Sequence, residues 1–280
     1  MRRKSNIIDV SEIIFDGGLR RNGKGYGMKR LISIVILLGA LLLCGMAQAD
    51  FVGDVEAQVS AARDYAQEAG LLNQRLSGVT IGIDPGHQLH GNNDREAIAP
   101  DSSEKKAKVA SGTSGRKTGI PEYETDLNIS LKLRDALEAE GCTVYMTRET
   151  NDVDISNQER AIMMNDLNVD LVLRLHCDGS TNKSANGIAM FVRGKGACQA
   201  ESEAAAYALL DKMVEATGAK RRGVYKRDTY TGLNWSTVPC ILVEMGYLTN
   251  PEEDVLLNSP DYQDKLVQGF VEGICSYFER

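Results

Sequence analysis

A chain of 280 residues with 42% hydrophobic content has room for one large domain or two small ones, and enough apolar material for a sizeable core. Its formal charge is −7, and the first 49 residues carry eight Lys/Arg against three Asp/Glu, so the remainder stands at −12. That sign argues against a nucleic acid or an anionic membrane surface as a partner of the bulk of the chain.

Residues 1–27 are mixed polar sequence upstream of a second methionine and read as an extension of unclear role, with Met28 as an alternative start. Met28-Lys29-Arg30 then precedes an apolar run from Leu31 to Met46, and Ala47-Gln48-Ala49 supplies a small-x-small exit before Asp50. A basic start, an apolar run of about 16 residues and a small-residue exit predict a secretory signal over 28–49. Contact with a membrane is then expected only if that segment stays attached. Residues 50–77 carry Val52, Val55, Val59, Ala62, Ala66 and Ala69 at helical spacing, which predicts a helical linker.

From Val79 onward, apolar runs alternate with helical patterns. Strands are predicted at 79–83, 143–147, 170–175, 188–192 and 240–244, and helices near 122–140, 156–167, 201–217 and 262–278. That alternation predicts a single α/β domain over 78–280, with a largely parallel twisted sheet and helices on both faces. Residues 88–120, rich in Asn, Ser, Lys and Gly, break the rhythm as an insertion. A long connection without structure of its own reads as a lid. Cys142, Cys177, Cys198, Cys240 and Cys275 include no C-x-x-C pair, so no disulfide framework is predicted.

Three of these strands end on chemistry. The first runs into Asp84-Pro85-Gly86-His87, the third into His176 and the last into Glu244. Side chains at the ends of parallel strands can converge on one point. Two imidazoles and one carboxylate form a catalytic zinc set that leaves a position for water, and a further carboxylate can serve as the base. The other carboxylate comes from the start of the helix at 122, where Glu122, Glu124 and Asp126 all complement the helix dipole. The residues alone leave that choice open. Alternation along its strand turns Cys177 away from His176, against a ligand role for the thiol. Asp84 is expected to shape its turn or to accept an imidazole N–H. Arg148, Arg160 and Arg174 read as structural ion pairs before substrate contacts, and His90 as incidental. Asn234 and Trp235, in a loop before the last strand, are candidates for lining a substrate cleft.

Taken together, Ile83-Asp84-Pro85-Gly86-His87, Glu124-Thr125-Asp126-Leu127-Asn128, Leu175-His176-Cys177-Asp178-Gly179 and Val243-Glu244-Met245-Gly246-Tyr247-Leu248-Thr249-Asn250 resemble the zinc-dependent N-acetylmuramoyl-L-alanine amidases of the amidase type 3 family, from Val79 to about Phe278. The resemblance implies one Zn2+ per chain, His87, Glu124 and His176 as its ligands, and Glu244 as the catalytic carboxylate. It implies peptidoglycan as substrate, cut between N-acetylmuramic acid and L-alanine, and action in the bacterial envelope or outside the cell. The insertion at 88–120 departs from the family pattern. Two alternatives stand beside this reading: a zinc peptidase acting on stem peptides, and a catalytically silent wall-binding protein.

Overall fold

The computed structural model describes residues 74–279 apart from residue 197, so the extension, the signal and most of the linker lie outside the described residues. The central sheet contains β1 (Thr80–Pro85), β4 (Thr143–Met146), β5 (Leu171–Asp178), β6 (Ile188–Val192), β7 (Arg221–Lys226) and β8 (Cys240–Tyr247), in the order β4-β1-β5-β8-β6-β7. The helices are α1 (Glu122–Ala139), α2 (Asn157–Asp166), α3 (Gln199–Thr217), α4 (Thr231–Trp235), α5 (Pro251–Leu257) and α6 (Pro260–Phe278).

Strands β4, β1, β5 and β8 are parallel, whereas β6 runs antiparallel to β8 and carries β7 parallel to itself. The reversal follows from chain length. The link from β5 to β6 spans only residues 179–187 and holds no helix, which is shorter than the dozen or so residues that a parallel crossover needs. Strand β6 therefore returns antiparallel, and α3 then brings the chain back for β7.

Pleating divides the core in two. Ile81, Ile83, Leu171, Leu173, Leu175, Cys177, Ile241, Val243 and Met245 face one way, with Ile129, Leu133 and Leu137 of α1 and the apolar faces of α3 and α6. Alternate residues face a smaller cluster of Met164, Val169, Val172, Leu233, Cys240 and Leu242 under α2 and α4. Helix α2 begins in a capping box, in which Ser156 accepts from the Glu159 N–H and Glu159 accepts from the Ser156 N–H. Cys177 lies in the larger cluster, on the face opposite His176 as alternation requires, and the five described cysteines are free thiols.

The insertion has structure of its own. Strands β2 (Asn92–Ala97) and β3 (Lys105–Val109) pair antiparallel as a hairpin. Its hydrogen bonds run to the body of the domain: Trp235 Nε1 donates to Ala97 O at 2.9 Å and Asn234 Nδ2 to Ile98 O at 3.0 Å. Asn157 Nδ2 donates to Lys108 O at 2.7 Å, and Lys106 Nζ to Thr229 O at 2.7 Å. An unstructured lid is replaced by an anchored hairpin. The residues expected to line a cleft, Asn234 and Trp235, are two of its anchors. Among the described residues no helix is long and apolar enough to cross a membrane.

Candidate metal centre

Because β1, β5 and β8 are parallel, their C-terminal ends share one edge of the sheet, and the site is built there. His176 is opposite Glu244 in the β5–β8 register, so pleating sends both side chains to the same face. His87 follows β1 with φ 55°, a left-handed turn conformation that carries its ring back over the sheet edge.

The carboxylate that joins the two imidazoles is Glu122, not Glu124. His87 Nε2 lies 3.0 Å from Glu122 Oε1, His176 Nδ1 lies 3.2 Å from the same oxygen, and the two ring nitrogens are 3.2 Å apart. The correction has a helical cause. Buried positions of α1 run through Glu122, Asp126, Ile129, Leu133 and Leu137, a stripe at i+3 and i+4 spacing that faces the sheet. Glu124 is two residues on, about 200° around the helix axis, and stays half-buried outside the cluster.

His87 and Glu122 are each held from behind. His87 Nδ1 lies 2.7 Å from Ala110 O, which assigns the proton to Nδ1 and leaves the Nε2 lone pair facing the cluster. Glu122 accepts the Thr113 N–H on Oε2 at 2.8 Å and the Cys177 N–H on Oε1 at 3.2 Å. Ala110 and Thr113 belong to the insertion, so its returning end supports His87 and Glu122 directly. Gly112, at φ +77°, lets that segment approach: a Cβ there would lie 2.9 Å from both Glu122 Oε2 and His87 Cδ2.

Electrostatics follow from burial and these contacts. Burial would raise the Glu122 carboxyl, but its contacts with the His176 and His87 rings outweigh it and hold the group well below the usual carboxylate range. Burial would lower His87, yet its bond to Glu122 shifts it upward, while burial prevails at His176 and lowers it. Glu244 is pushed well above its ordinary value by burial and then by the charges of Glu122 and Asp178, and its Oε2 makes no hydrogen bond. Asp126, one turn beyond Glu122, is raised in the same way by burial, Glu122 and Glu244.

The donor set fits a zinc ion. Tetrahedral bonds of about 2.0–2.1 Å place ligand atoms about 3.3 Å apart, close to the three separations found here, and two imidazole nitrogens with one carboxylate leave a fourth position open. Among the described residues this is the one group of three or more His, Cys, Asp or Glu disposed to hold a metal.

The supporting residues expected from the sequence take different partners. Asp84 meets no imidazole; it receives Arg174 Nη1 at 2.8 Å, Arg160 Nη1 at 3.0 Å and the Thr147 hydroxyl at 2.5 Å. Arg160 also donates to Pro85 O, His87 O and Gln88 Oε1, and Arg148 to Pro85 O and Gly86 O. These arginines hold the turn that presents His87. His90 stays outside the cluster.

Residues 81–276 match the family described as N-acetylmuramoyl-L-alanine amidase. The chain is 30% identical over 233 residues to N-acetylmuramoyl-L-alanine amidase Rv3717 of Mycobacterium tuberculosis, covering 78% of this chain and 94% of that one. It is 29% identical over 203 residues to the probable cell wall amidase LytH of Staphylococcus aureus, covering 72% of this chain and 60% of the relative's length. In structure it is similar to the N-acetylmuramyl-L-alanine amidase Ami1 of Mycobacterium smegmatis, with a TM-score of 0.67 at 25% identity over 73% of this chain and 98% of that one.

Proposed function

The chain belongs to the N-acetylmuramoyl-L-alanine amidase family, and on that footing we propose that it is an exported zinc hydrolase of peptidoglycan. It cuts the amide between the lactyl group of N-acetylmuramic acid and the first L-alanine of the stem peptide. His87, Glu122 and His176 hold the metal, and Glu244 transfers the proton. The observation that carries the reading is the convergence of three lone-pair donors within 3.0–3.2 Å of one another, with a buried carboxylate opposite one of them in the sheet. Export rests on the 28–49 segment, outside the described residues.

Zinc in such a set supplies Lewis acidity toward a carbonyl and makes water a competent nucleophile near neutral pH. The chain supplies the rest. Ala110 O fixes the His87 tautomer, and the Thr113 and Cys177 N–H groups fix the Glu122 carboxylate. Glu244 has one unpartnered oxygen in a buried setting, where it can accept a proton from attacking water and return it to the departing amine.

The test uses three variants. Glu122→Gln should lose zinc, because a neutral amide is a poor replacement for an anionic ligand, and Glu124→Gln should retain both metal and turnover. Glu244→Gln should retain zinc while turnover falls by about 10²–10⁴. Zinc is read by elemental analysis, and products from purified sacculi by mass spectrometry, where intact stem peptides with a free N-terminal L-alanine are expected. Zinc loss in Glu124→Gln but not in Glu122→Gln would reverse the ligand assignment, and fragments cut within the stem would replace the amidase with a peptidase.

A further inference from the structure

The strand at the open edge of the sheet, β7, and its flanking residues are basic in an otherwise acidic chain: Lys220, Arg221, Arg222, Lys226 and Arg227 fall within eight residues. Two of these cations are neutralised locally, Arg221 by Asp211 at 2.9 Å and Lys226 by Glu203 at 2.9 Å. Arg227 makes no ion pair among the described residues. Its neighbour Asp228 directs its carboxylate to the Gly194 N–H at 2.9 Å.

Arg227 is nevertheless held in place. Its backbone N–H donates to Val192 O at 2.9 Å, and its guanidinium lies over two rings, 5.7 Å from the Tyr225 centroid and 6.0 Å from that of Phe191. Those rings stack at 5.5 Å and 30°, and Tyr230 meets Phe191 edge-on at 5.5 Å. Its Nη1 also donates to Lys226 O at 2.9 Å; a guanidinium so held on aromatic faces loses little mobility on binding and keeps its Nε–Nη2 edge for a planar anion.

The platform is on the reacting side of the sheet. Ala189 of β6 is opposite Glu244 and Phe191 opposite Leu242, so pleating sends the Phe191 ring to the face that carries Glu244 and His176. Phe191 and Tyr230 pack against the apolar cluster on that face. The Tyr230 phenol is pushed up to about 12 by burial and by the charges of Glu244 and Asp178.

We propose that Arg227, supported by Phe191, Tyr225 and Tyr230, is a specificity residue that binds a carboxylate of the departing stem peptide while Glu244 faces the scissile amide. The proposal rests on the amidase reading for its ligand. Its chemistry is that of a bidentate guanidinium–carboxylate pair, which a carboxamide cannot form.

The test compares two pairs of probes: an N-acetylmuramoyl-L-alanyl peptide with a free carboxylate and its carboxamide counterpart, and the corresponding L-alanyl product peptides, which need no hydrolysis. Wild type should prefer the carboxylate forms by about tenfold or more, in KM for the substrates and in Kd for the products by calorimetry. Arg227→Gln should abolish that preference with the loss concentrated in KM, and Arg227→Lys should restore only part of it. Equal weakening of carboxylate and carboxamide probes in Arg227→Gln, or no change in either, would overturn the proposal. If only removal of the Phe191 or Tyr225 ring weakens binding, the platform stacks on sugar and the carboxylate assignment is wrong. Should wild type cleave neither substrate, the amidase reading fails, while product-peptide binding still decides the role of Arg227.

Discussion

Asp84 is the buried charge on which the presentation of His87 depends, and replacing it with Asn should be among the most damaging changes outside the metal cluster. The side chain is 1% exposed, and its partners Arg160 and Arg174 are 2% and 4% exposed. Burial by itself would push the carboxyl upward. Arg174 first, then Arg160 and the Thr147 hydroxyl, overcome that and hold it well below the ordinary carboxylate range. Asn can still accept from Thr147, but it leaves two guanidinium groups in the interior without an anion. Breaking a buried pair in this way costs about 3–5 kcal/mol, out of the roughly 5–15 kcal/mol that stabilises a domain. At about 2–4 °C per kcal/mol for a domain of this size, the melting temperature should fall by about 6–20 °C. The sign with pH is fixed. A carboxyl depressed in the folded state contributes in full above its unfolded value near 3.9, and the contribution is lost as pH falls toward the folded value. The gap between wild type and Asp84→Asn should therefore be widest at neutral pH and shrink below about pH 4. Calorimetric melts of both proteins after metal removal, between pH 7 and pH 3, separate this effect from zinc binding. A variant melting within about 2 °C of wild type at pH 7, or a gap that does not change down to pH 3, would show that the arginines are compensated elsewhere.

Two further changes test the support around the site. In Gly86→Ala the new Cβ would lie 2.5 Å from His176 Cε1 and Nδ1 and 2.6 Å from Asp126 Oδ2, so the ring must move by about 1 Å, and zinc affinity, read by competition with a chelating dye, should fall about 10–100-fold; unchanged affinity would mean that the ring has room to give. Trp235→Phe removes the Nε1 bond to Ala97 O while keeping most of the ring, so hydrogen exchange along β2 and β3 should accelerate as about 1 kcal/mol of anchoring is lost. An altered KM with unchanged hairpin protection would return Trp235 to a substrate cleft.

Much of the frame was legible because it rests on periodicity. The apolar runs ending at His87, His176 and Glu244 are strands buried on both faces, which read as continuous hydrophobic segments. Strand β7 was not legible: Arg-Arg-Gly-Val-Tyr-Lys has three exposed basic residues and none that is fully buried, as an open edge allows, and its place depends on pairing with β6. The β2–β3 hairpin escaped for a related reason. Its strands, Asn-Asn-Asp-Arg-Glu-Ala and Lys-Lys-Ala-Lys-Val, carry few apolar residues beyond the buried Val109, and hydrogen bonds to Asn157, Asn234 and Trp235 hold the hairpin in place. Such anchors are distant in sequence and leave no local pattern.

The choice between Glu122 and Glu124 marks the boundary more sharply, because the deciding signal was present. Leu137, Leu133 and Ile129 define the sheet-facing stripe of α1, and stepping back through Asp126 arrives at Glu122, not Glu124. The family resemblance implies Glu124, whereas helical phase favours the acid on the buried stripe. Phase has the stronger physical claim: a ligand must project from the helix face that meets the sheet edge, and a shift of two residues turns the side chain about 200° away from it. The same argument explains why Asp126 is buried one turn later without a hydrogen-bond partner from nitrogen or oxygen. It shares the phase of Glu122 but lies a turn deeper, beside Cys177, where burial and the charges of Glu122 and Glu244 push its carboxyl well above the ordinary value.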